Sequence, residues 1–227
     1  MAEWLARADL AVLVLAGGLA AATLAFLLAA DAVTSSGQTD DRILRALREP
    51  HDPADPIGPR WFEEAARDVT ALGGAAVLTL LVGGVVGYLF IAKKHHAAIL
   101  VLAATLGGAA ISTLLKGYYA RPRPDLVPHL SYATSASFPS GHAMLSAVVY
   151  LTLGALLARL HEGRWLKVYF VGVAILLTLL VGASRVYLGV HYPTDVVAGW
   201  AAGVAWAVVC WLVARRLQRR GVVEGTG

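Results

Sequence analysis

Charged residues and cysteine are scarce in this chain of 227 residues. Only 15% of the residues are charged and 58% are hydrophobic, which excludes an ordinary soluble domain. The single cysteine, Cys210, lies in an apolar run, which excludes an intrachain disulfide and a thiolate cluster for a metal. Internal repeats and low-complexity tracts are also missing. The composition therefore predicts one integral membrane domain over residues 1–227.

Long apolar runs are what the chain has in abundance. A helix needs about 20 apolar residues to cross the hydrocarbon core of a bilayer. Six runs approach that length, and we expect transmembrane helices at about 10–30, 71–92, 97–115, 143–160, 166–183 and 196–214. The first run is too long for the core of an ordinary signal peptide, so we expect a retained span. The sequence thus predicts an all-α fold, a bundle of six transmembrane helices.

Lysine and arginine in the short loops predict the orientation, because cytoplasmic loops are enriched in both. The basic residues that fall on one side when the spans alternate are Arg7, Lys93, Lys94, Arg159, Arg164, Lys167, Arg215, Arg216, Arg219 and Arg220. We therefore expect a multi-pass protein of the cell (inner) membrane with both termini cytoplasmic and a basic cytoplasmic tail over 215–227. The loops after spans one, three and five then lie on the outer face. Five arginines between positions 42 and 67 oppose this assignment.

Residues 31–70 form the longest polar stretch, an extramembrane connector between the first two spans. Within it, three apolar residues face three basic ones at helical spacing: Ile43, Leu44 and Leu47 against Arg42, Arg45 and Arg48. This pattern predicts a short amphipathic helix at the membrane interface after the first span. The prolines that follow exclude regular helix. Both a solvated connector and a substrate gate remain open for this segment.

Three polar stretches near the predicted span ends carry the chemistry. The first, residues 116–124, reads KGYYARPRP. A lysine or arginine at a helix end is ordinarily an anchor at the membrane surface. Here, however, Pro122 and Pro124 stiffen the loop and hold guanidinium groups outside regular structure, where they suit phosphate oxygens. Lys116 is one candidate ligand, and by this reasoning Arg121 and Arg123 are equally good ones.

The second stretch, residues 139–142, reads PSGH and opens the fourth predicted span. Ser140 is suited to cap the helix. A helix N-terminus also attracts anions, and Gly141 lets an oxyanion approach the backbone. His142 would lie beside that anion, where it could protonate a leaving oxygen. A purely structural histidine is the alternative.

The third stretch, residues 184–195, reads SRVYLGVHYPTD. His191 and Asp195 are four residues apart, and Pro193 suits the first turn of a helix, so both side chains could face the same way. A carboxylate that fixes one imidazole nitrogen leaves the other free as a nucleophile. Arg185 would add a cation to the same rim. The alternative is a histidine–aspartate pair that only caps the helix.

Together, the pattern Lys-x6-Arg-Pro, Pro-Ser-Gly-His and Ser-Arg-x5-His-x3-Asp resembles the signature of the phosphatidic acid phosphatase type 2 superfamily, in its integral membrane lipid phosphatase branch. Every position of that signature is filled. The resemblance implies His191 as a nucleophile that forms a phosphohistidine, Asp195 as its orienting partner and His142 as the acid. It implies a phosphate cradle without metal or other cofactor, formed by Lys116, Arg123, Ser140, Gly141 and Arg185. It also favours Arg123 over Arg121.

The implied substrate is a lipid phosphate or pyrophosphate whose tail stays among membrane lipids. Undecaprenyl pyrophosphate, phosphatidylglycerol phosphate, phosphatidic acid and lipid A phosphates all qualify. The rival functions are a lipid phosphotransferase with the same intermediate and a non-catalytic lipid-binding or transport protein. The net charge of +4 gives no argument for nucleic acid. Glycine pairs at 83 and 87 and at 199 and 203 predict close helix packing, within the chain or in a homodimer.

Overall fold

The computed structural model describes residues 2–34, 38–131 and 135–219. Its elements, in chain order, are α1 (Ala2–Thr34), α2 (Gln38–Ala46), β1 (Arg48–Glu49), β2 (Asp52–Pro56), α3 (Arg60–Ala71), α4 (Ala75–Ile91), α5 (His95–Tyr119), α6 (Gly141–Arg159), α7 (Arg164–Tyr187) and α8 (Pro193–Arg219). The prediction of a mostly helical chain is confirmed. The end of the predicted basic tail, residues 220–227, lies outside the described residues.

Five helices of the described chain are long and apolar enough to cross a membrane. They are the part of α1 from Leu15 to Val33, then α5, α6, α7, and α8 as far as Gln218. Helices α3 and α4 pass the same test only as a pair, with a bend of 46° at the break between them. The second predicted span, 71–92, therefore corresponds to α4 and the bend that precedes it. The chain is a multi-pass membrane protein.

Helix α6 is the centre of the bundle, where it packs against α5, α7 and α8, while α1 packs along α8. Glycines bring α8 close to α6. A Cβ added at Gly199 would lie 2.6 Å from Ser140 O, and one added at Gly203 would lie 2.6 Å from Met144 O. The close packing predicted for this glycine pair therefore occurs within the chain. A Cβ added at Gly83 or Gly87 would meet nothing within 4 Å among the described residues.

The connector folds against the bundle. Helix α2 buries Leu44 completely and leaves Ile43 41% exposed. Arg48 departs from the predicted basic face, because it is buried and its Nη1 donates to Tyr187 O at 3.0 Å. The reason is that α2 ends at Ala46, so helical spacing no longer sets the direction of Arg48. The prolines exclude helix as predicted, but part of this stretch forms the antiparallel hairpin β1–β2, a departure from an all-α fold.

Candidate active site

Four helix ends meet at one end of the bundle and carry the three motif stretches: the C-terminal ends of α5 and α7 and the N-terminal ends of α6 and α8. Ala120 ends α5 in the left-handed conformation, with φ of 42°. The next residues, with Pro122 and Pro124, continue without helix. The N–H of Ser140 donates to Asp195 O at 2.9 Å and ties the second stretch to the third. The fold therefore joins segments that are far apart in the sequence.

His191 lies in the loop between α7 and α8 and is 1% exposed. Its Nδ1 is 3.4 Å from Oδ2 of Asp195 in the first turn of α8, and its Nε2 is 3.2 Å from Nη1 of Arg123. Because a guanidinium can only donate, Nε2 accepts and Nδ1 carries the proton. Burial lowers the pKa of His191 to about 3, against the opposing effect of Asp195. The imidazole is therefore neutral at physiological pH, with its lone pair on Nε2.

The carboxylate of Asp195 is fully buried and is held by both oxygens. Oδ2 accepts from Ser137 Oγ and from the N–H of Tyr192 at 2.9 Å. Oδ1 accepts from Nη1 of Arg121 at 2.6 Å. Ser137 Oγ is also 3.3 Å from His191 Nδ1. These contacts fix the carboxylate, and the carboxylate in turn fixes the tautomer and orientation of His191.

Arg123 lies against Nε2 of His191, and no carboxylate of the described residues pairs with it. Its Nη1 donates to Val190 O at 2.6 Å and its Nε donates to Ser135 O at 2.8 Å, in addition to the contact with His191. Burial lowers the pKa of Arg123, although Asp195 has the opposite effect. The guanidinium keeps its charge, because an arginine is protonated at all physiological pH values.

Arg185 and Lys116 complete a group of three cations. Arg185 is 2% exposed, and its Nη1 is 3.2 Å from Thr70 Oγ1 and 3.3 Å from Ser131 Oγ. Its Nε has no hydrogen-bond partner among the described residues. Lys116 donates to Ala136 O.

Within the described parts of the chain, Lys116, Arg123 and Arg185 form no salt bridge with a carboxylate. Buried cations without counter-ions are unfavourable unless another anion neutralises them. The electrostatics of the site therefore favour an anion that the protein itself does not supply.

The N-terminus of α6 faces these cations. Ser140 Oγ accepts from the N–H of Ala143 at 3.5 Å and caps the helix. A Cβ at Gly141 would be 3.5 Å from Lys116 Cε, so the backbone lies beside the lysine stem. His142, in the first turn, is within electrostatic reach of Arg123, Arg185, Lys116 and His191. The helix N-terminus adds a further partial positive charge to the site.

A model of the PAP2 superfamily matches residues 97–219, which contain all three motif stretches. The chain belongs to the PAP2 superfamily. This confirms the resemblance inferred from the motifs, and with it the prediction of a phosphatase. The PAP2 chain is similar to phosphatidylglycerophosphatase B of Bacillus subtilis, with 31% identity over 178 residues that cover 77% of this chain and 81% of the relative.

The chain is also similar to a solved crystal structure and, over a shorter segment, to a second relative. The crystal structure of a transmembrane PAP2 type phosphatidylglycerolphosphate phosphatase from Bacillus subtilis superposes with a TM-score of 0.79 at 29% identity, covering 88% of this chain and 98% of that one. An undecaprenyl-diphosphatase of Sulfolobus acidocaldarius is 40% identical over 70 residues, which are 31% of this chain and 30% of the relative. The similarity to the crystal structure extends over most of the bundle.

Metal ligands are not clustered in the described part of this PAP2 chain, where no group of three or more His, Cys, Asp and Glu side chains could hold an ion. Sequence reasoning missed three of the four residues that support the site. Ser137 bonds to Asp195, Thr70 contacts Arg185, and Asp40 and Arg121 form a buried ion pair. Only Arg121 carried a signal in the sequence, as the alternative to Arg123. In the structure, Arg121 forms ion pairs with the carboxylates of Asp40 and Asp195.

Proposed function

We propose that this PAP2 protein hydrolyses the phosphate ester or pyrophosphate of a membrane lipid through a phosphohistidine on His191. The proposal rests on the unbalanced positive charge beside a neutral histidine. Within the described residues, Lys116, Arg123 and Arg185 have no carboxylate partner, and the lone-pair nitrogen of the buried, neutral His191 lies against Arg123. A phosphate with about two negative charges supplies the missing counter-charge.

In the first step, Nε2 of His191 attacks phosphorus in line with the leaving oxygen. The new N–P bond forms as the P–O bond breaks, and the electron pair goes to the departing oxygen, which His142 protonates. Lys116, Arg123, Arg185 and the backbone at Ser140 and Gly141 would stabilise the charge on the equatorial oxygens. Asp195 stabilises the positive charge on the phosphorylated imidazole. The contact between Arg123 and Nε2 marks where a phosphate oxygen would replace the ring nitrogen as hydrogen-bond acceptor.

In the second step, water attacks the phosphohistidine while His142 accepts its proton. The N–P bond breaks, its electrons return to Nε2, and inorganic phosphate leaves. Asp195 remains ionised throughout and keeps the proton on Nδ1. The two steps require no metal and no cofactor, since the cations of the chain stabilise the transition state.

The substrate is an amphiphile, because the site lies at the ends of membrane-spanning helices. Undecaprenyl pyrophosphate, phosphatidylglycerol phosphate, phosphatidic acid and lipid A phosphates have the required chemistry. The similarity over most of the chain to phosphatidylglycerophosphatase B makes phosphatidylglycerol phosphate the first substrate to test.

The arrangement in the membrane that fits this function has six spans, with the bent pair α3–α4 as the second. Helix α2 would then lie at the interface. The active site would open on the outer face of the inner membrane, since Lys93 and Lys94 follow α4 at the opposite end of the bundle and Arg215 and Arg216 lie near the end of α8. Both termini are then cytoplasmic.

The test is phosphate release from purified lipid phosphates in detergent with EDTA present. Release should be lost in His191→Ala and retained in His96→Ala, an exposed histidine at the other end of α5. Unchanged release by His191→Ala would overturn the mechanism, and full inhibition by EDTA would restore a role for a metal. Labelled phosphate on an acceptor lipid would identify a phosphotransferase instead.

A further inference from the structure

Arg121 bridges two buried carboxylates from distant parts of the chain. Its Nη1 donates to Asp195 Oδ1 at 2.6 Å and its Nη2 donates to Asp40 Oδ2 at 2.9 Å. The side chains of Asp40 and Asp195 are 2% and 0% exposed, and that of Arg121 is 10% exposed. The guanidinium also stacks on the ring of Tyr192, 4.0 Å from its centroid. The bridge is therefore enclosed and held on several sides.

The hydrogen-bond partners of Arg121 distinguish it from the three proposed phosphate ligands, Lys116, Arg123 and Arg185. Both terminal nitrogens of Arg121 donate to carboxylates, whereas Arg123, two residues on, forms no such pair with a carboxylate of the described residues. Burial alone would lower the pKa of Arg121, but Asp195 and Asp40 together raise it. An arginine that already neutralises carboxylates has little attraction left for a phosphate.

Asp40 connects the same bridge to the first turn of α8. Its Oδ1 accepts from the N–H of Thr194 at 3.1 Å and its Oδ2 accepts from Thr194 Oγ1 at 2.5 Å. Arg121 Nη1 also donates to Thr194 Oγ1 at 2.8 Å. Helix α2 of the connector therefore contacts the residue next to Asp195 through hydrogen bonds and a shared cation.

The net charge of the Arg121 bridge is opposite to the charge that His191 acquires during the proposed reaction. Two carboxylates and one guanidinium leave one net negative charge beside His191. That charge balances the positive imidazole which exists once Nε2 has formed its bond to phosphorus. If Arg121 were removed, two buried carboxylates would repel each other, and Asp195 would lose the bond that fixes Oδ1.

We infer that Arg121 and Asp40 are positioning residues, which act on the reaction by holding Asp195, and through it His191, in the attacking geometry. The inference rests on the proposed function of His191 as nucleophile. It gives residues 31–70 a part in the active centre, since Asp40 comes from that connector. Neither residue belongs to the proposed phosphate cradle.

The first measurement is phosphate release by Arg121→Ala, Arg121→Lys and Asp40→Asn, with inorganic phosphate as a competitive ligand. The kcat of Arg121→Ala should fall by about 10- to 100-fold, by analogy with the loss of residues that orient metal-binding histidines. KM and the inhibition constant of inorganic phosphate should stay nearly unchanged. Arg121→Lys should recover little of the loss, because one ammonium group cannot span both carboxylates.

Two variants serve as controls. Arg159→Ala removes an exposed arginine at the other end of α6, whose Nη2 donates to Gln218 Oε1 at 3.3 Å, so it should leave kcat unchanged. Arg123→Ala should weaken the inhibition by inorganic phosphate, which shows the behaviour of a true phosphate ligand. If Arg121→Ala weakens that inhibition equally, or leaves kcat unchanged, the inference is wrong. If Arg121→Ala does not fold, Arg121→Lys and Asp40→Asn decide by the same criteria.

A second readout does not depend on activity. The side-chain nitrogen-15 spectrum of His191, assigned by its absence in His191→Gln, should report a proton fixed on Nδ1. A mixture of tautomers in Arg121→Lys supports the positioning role, and an unchanged spectrum contradicts it. A wild-type protein that releases no phosphate from any lipid would refute the proposed function, while the spectrum would still decide the role of Arg121.

Discussion

Replacing Gly199 by alanine is expected to disable the site while the bundle stays folded. The added Cβ would lie 2.6 Å from the carbonyl oxygen of Ser140, 3.0 Å from Ala143 Cβ and 3.2 Å from Met144 N. An ordinary contact begins at 3.4 Å, so relief requires a displacement of 3.4 − 2.6 = 0.8 Å between α8 and α6. The obstacle is backbone, which cannot rotate away as a side chain would.

This displacement is expected to act directly on catalysis, because α6 and α8 each carry residues of the proposed site. Asp195 is one turn before Gly199 on α8, and His142 follows Ser140 at the start of α6. The hydrogen bond from Ser140 N–H to Asp195 O would be stretched from its present 2.9 Å. A misplacement of about 1 Å can lower a rate by about 100-fold, and we expect a kcat loss of that order. Overpacking should destabilise the fold by only about 1–3 kcal/mol.

The assay is phosphate release in detergent together with thermal unfolding of the same preparations. Gly84→Ala is the matched control, since an added Cβ there meets nothing within 4 Å. It should keep full activity and gain about 0.5–1 kcal/mol from helix propensity.

A second control separates loss of stability from loss of geometry. At Gly107 the added Cβ would be 2.4 Å from Trp206 Cζ2, away from the motif stretches, so Gly107→Ala should lose stability but little kcat. Wild-type kcat in Gly199→Ala would refute the claim that the spacing of α6 and α8 sets the geometry of the site.

Two further predictions concern the groups around His191. Ser137→Ala removes a hydrogen bond to the carboxylate of Asp195, a kind of bond that is worth about 1.5–3 kcal/mol, so phosphate release should fall at least about tenfold. Ser146→Ala, which loses only a bond to Ala143 O, should not change release. Because the pKa of His191 is about 3 when folded and about 6.5 when unfolded, the unfolded chain binds more protons between these values. Stability should therefore fall as the pH decreases from 6.5 to about 3, with a slope that approaches about 1.4 kcal/mol per pH unit. His191→Gln should lose that component in unfolding titrations, and equal slopes would contradict it.

The sequence was most informative where the signal is local. Hydropathy over about 20 residues identifies spans, so the helices α5 to α8 lie where they were expected. The spacing of His191 and Asp195 likewise reflects one turn of helix. Hydropathy does not indicate the bend between α3 and α4. Gly73 lies in this break, where an added Cβ would be 2.3 Å from Val181 Cγ1 of α7, a residue 108 positions later.

Asp40 and Ser137 could not be found from the sequence, because tertiary contacts alone reveal their roles. Asp40 meets Thr194 across 154 positions of the chain. Its surroundings in the sequence are those of any polar connector. The burial of Arg48 was unpredictable for a related reason, since its direction changes where α2 ends.

The two arginines of the first stretch show how partners, and not residue type, determine a role. Pro122 and Pro124 favour the polyproline II conformation, in which residues two apart point in different directions because each turn has three residues. Arg121 forms ion pairs with Asp40 and Asp195, so carboxylates of the protein neutralise its charge. Arg123 meets a carbonyl oxygen and a neutral imidazole, so its charge remains available for an anion. In the proposed mechanism, the same type of side chain thus holds the orienting carboxylate in one case and binds the phosphate in the other.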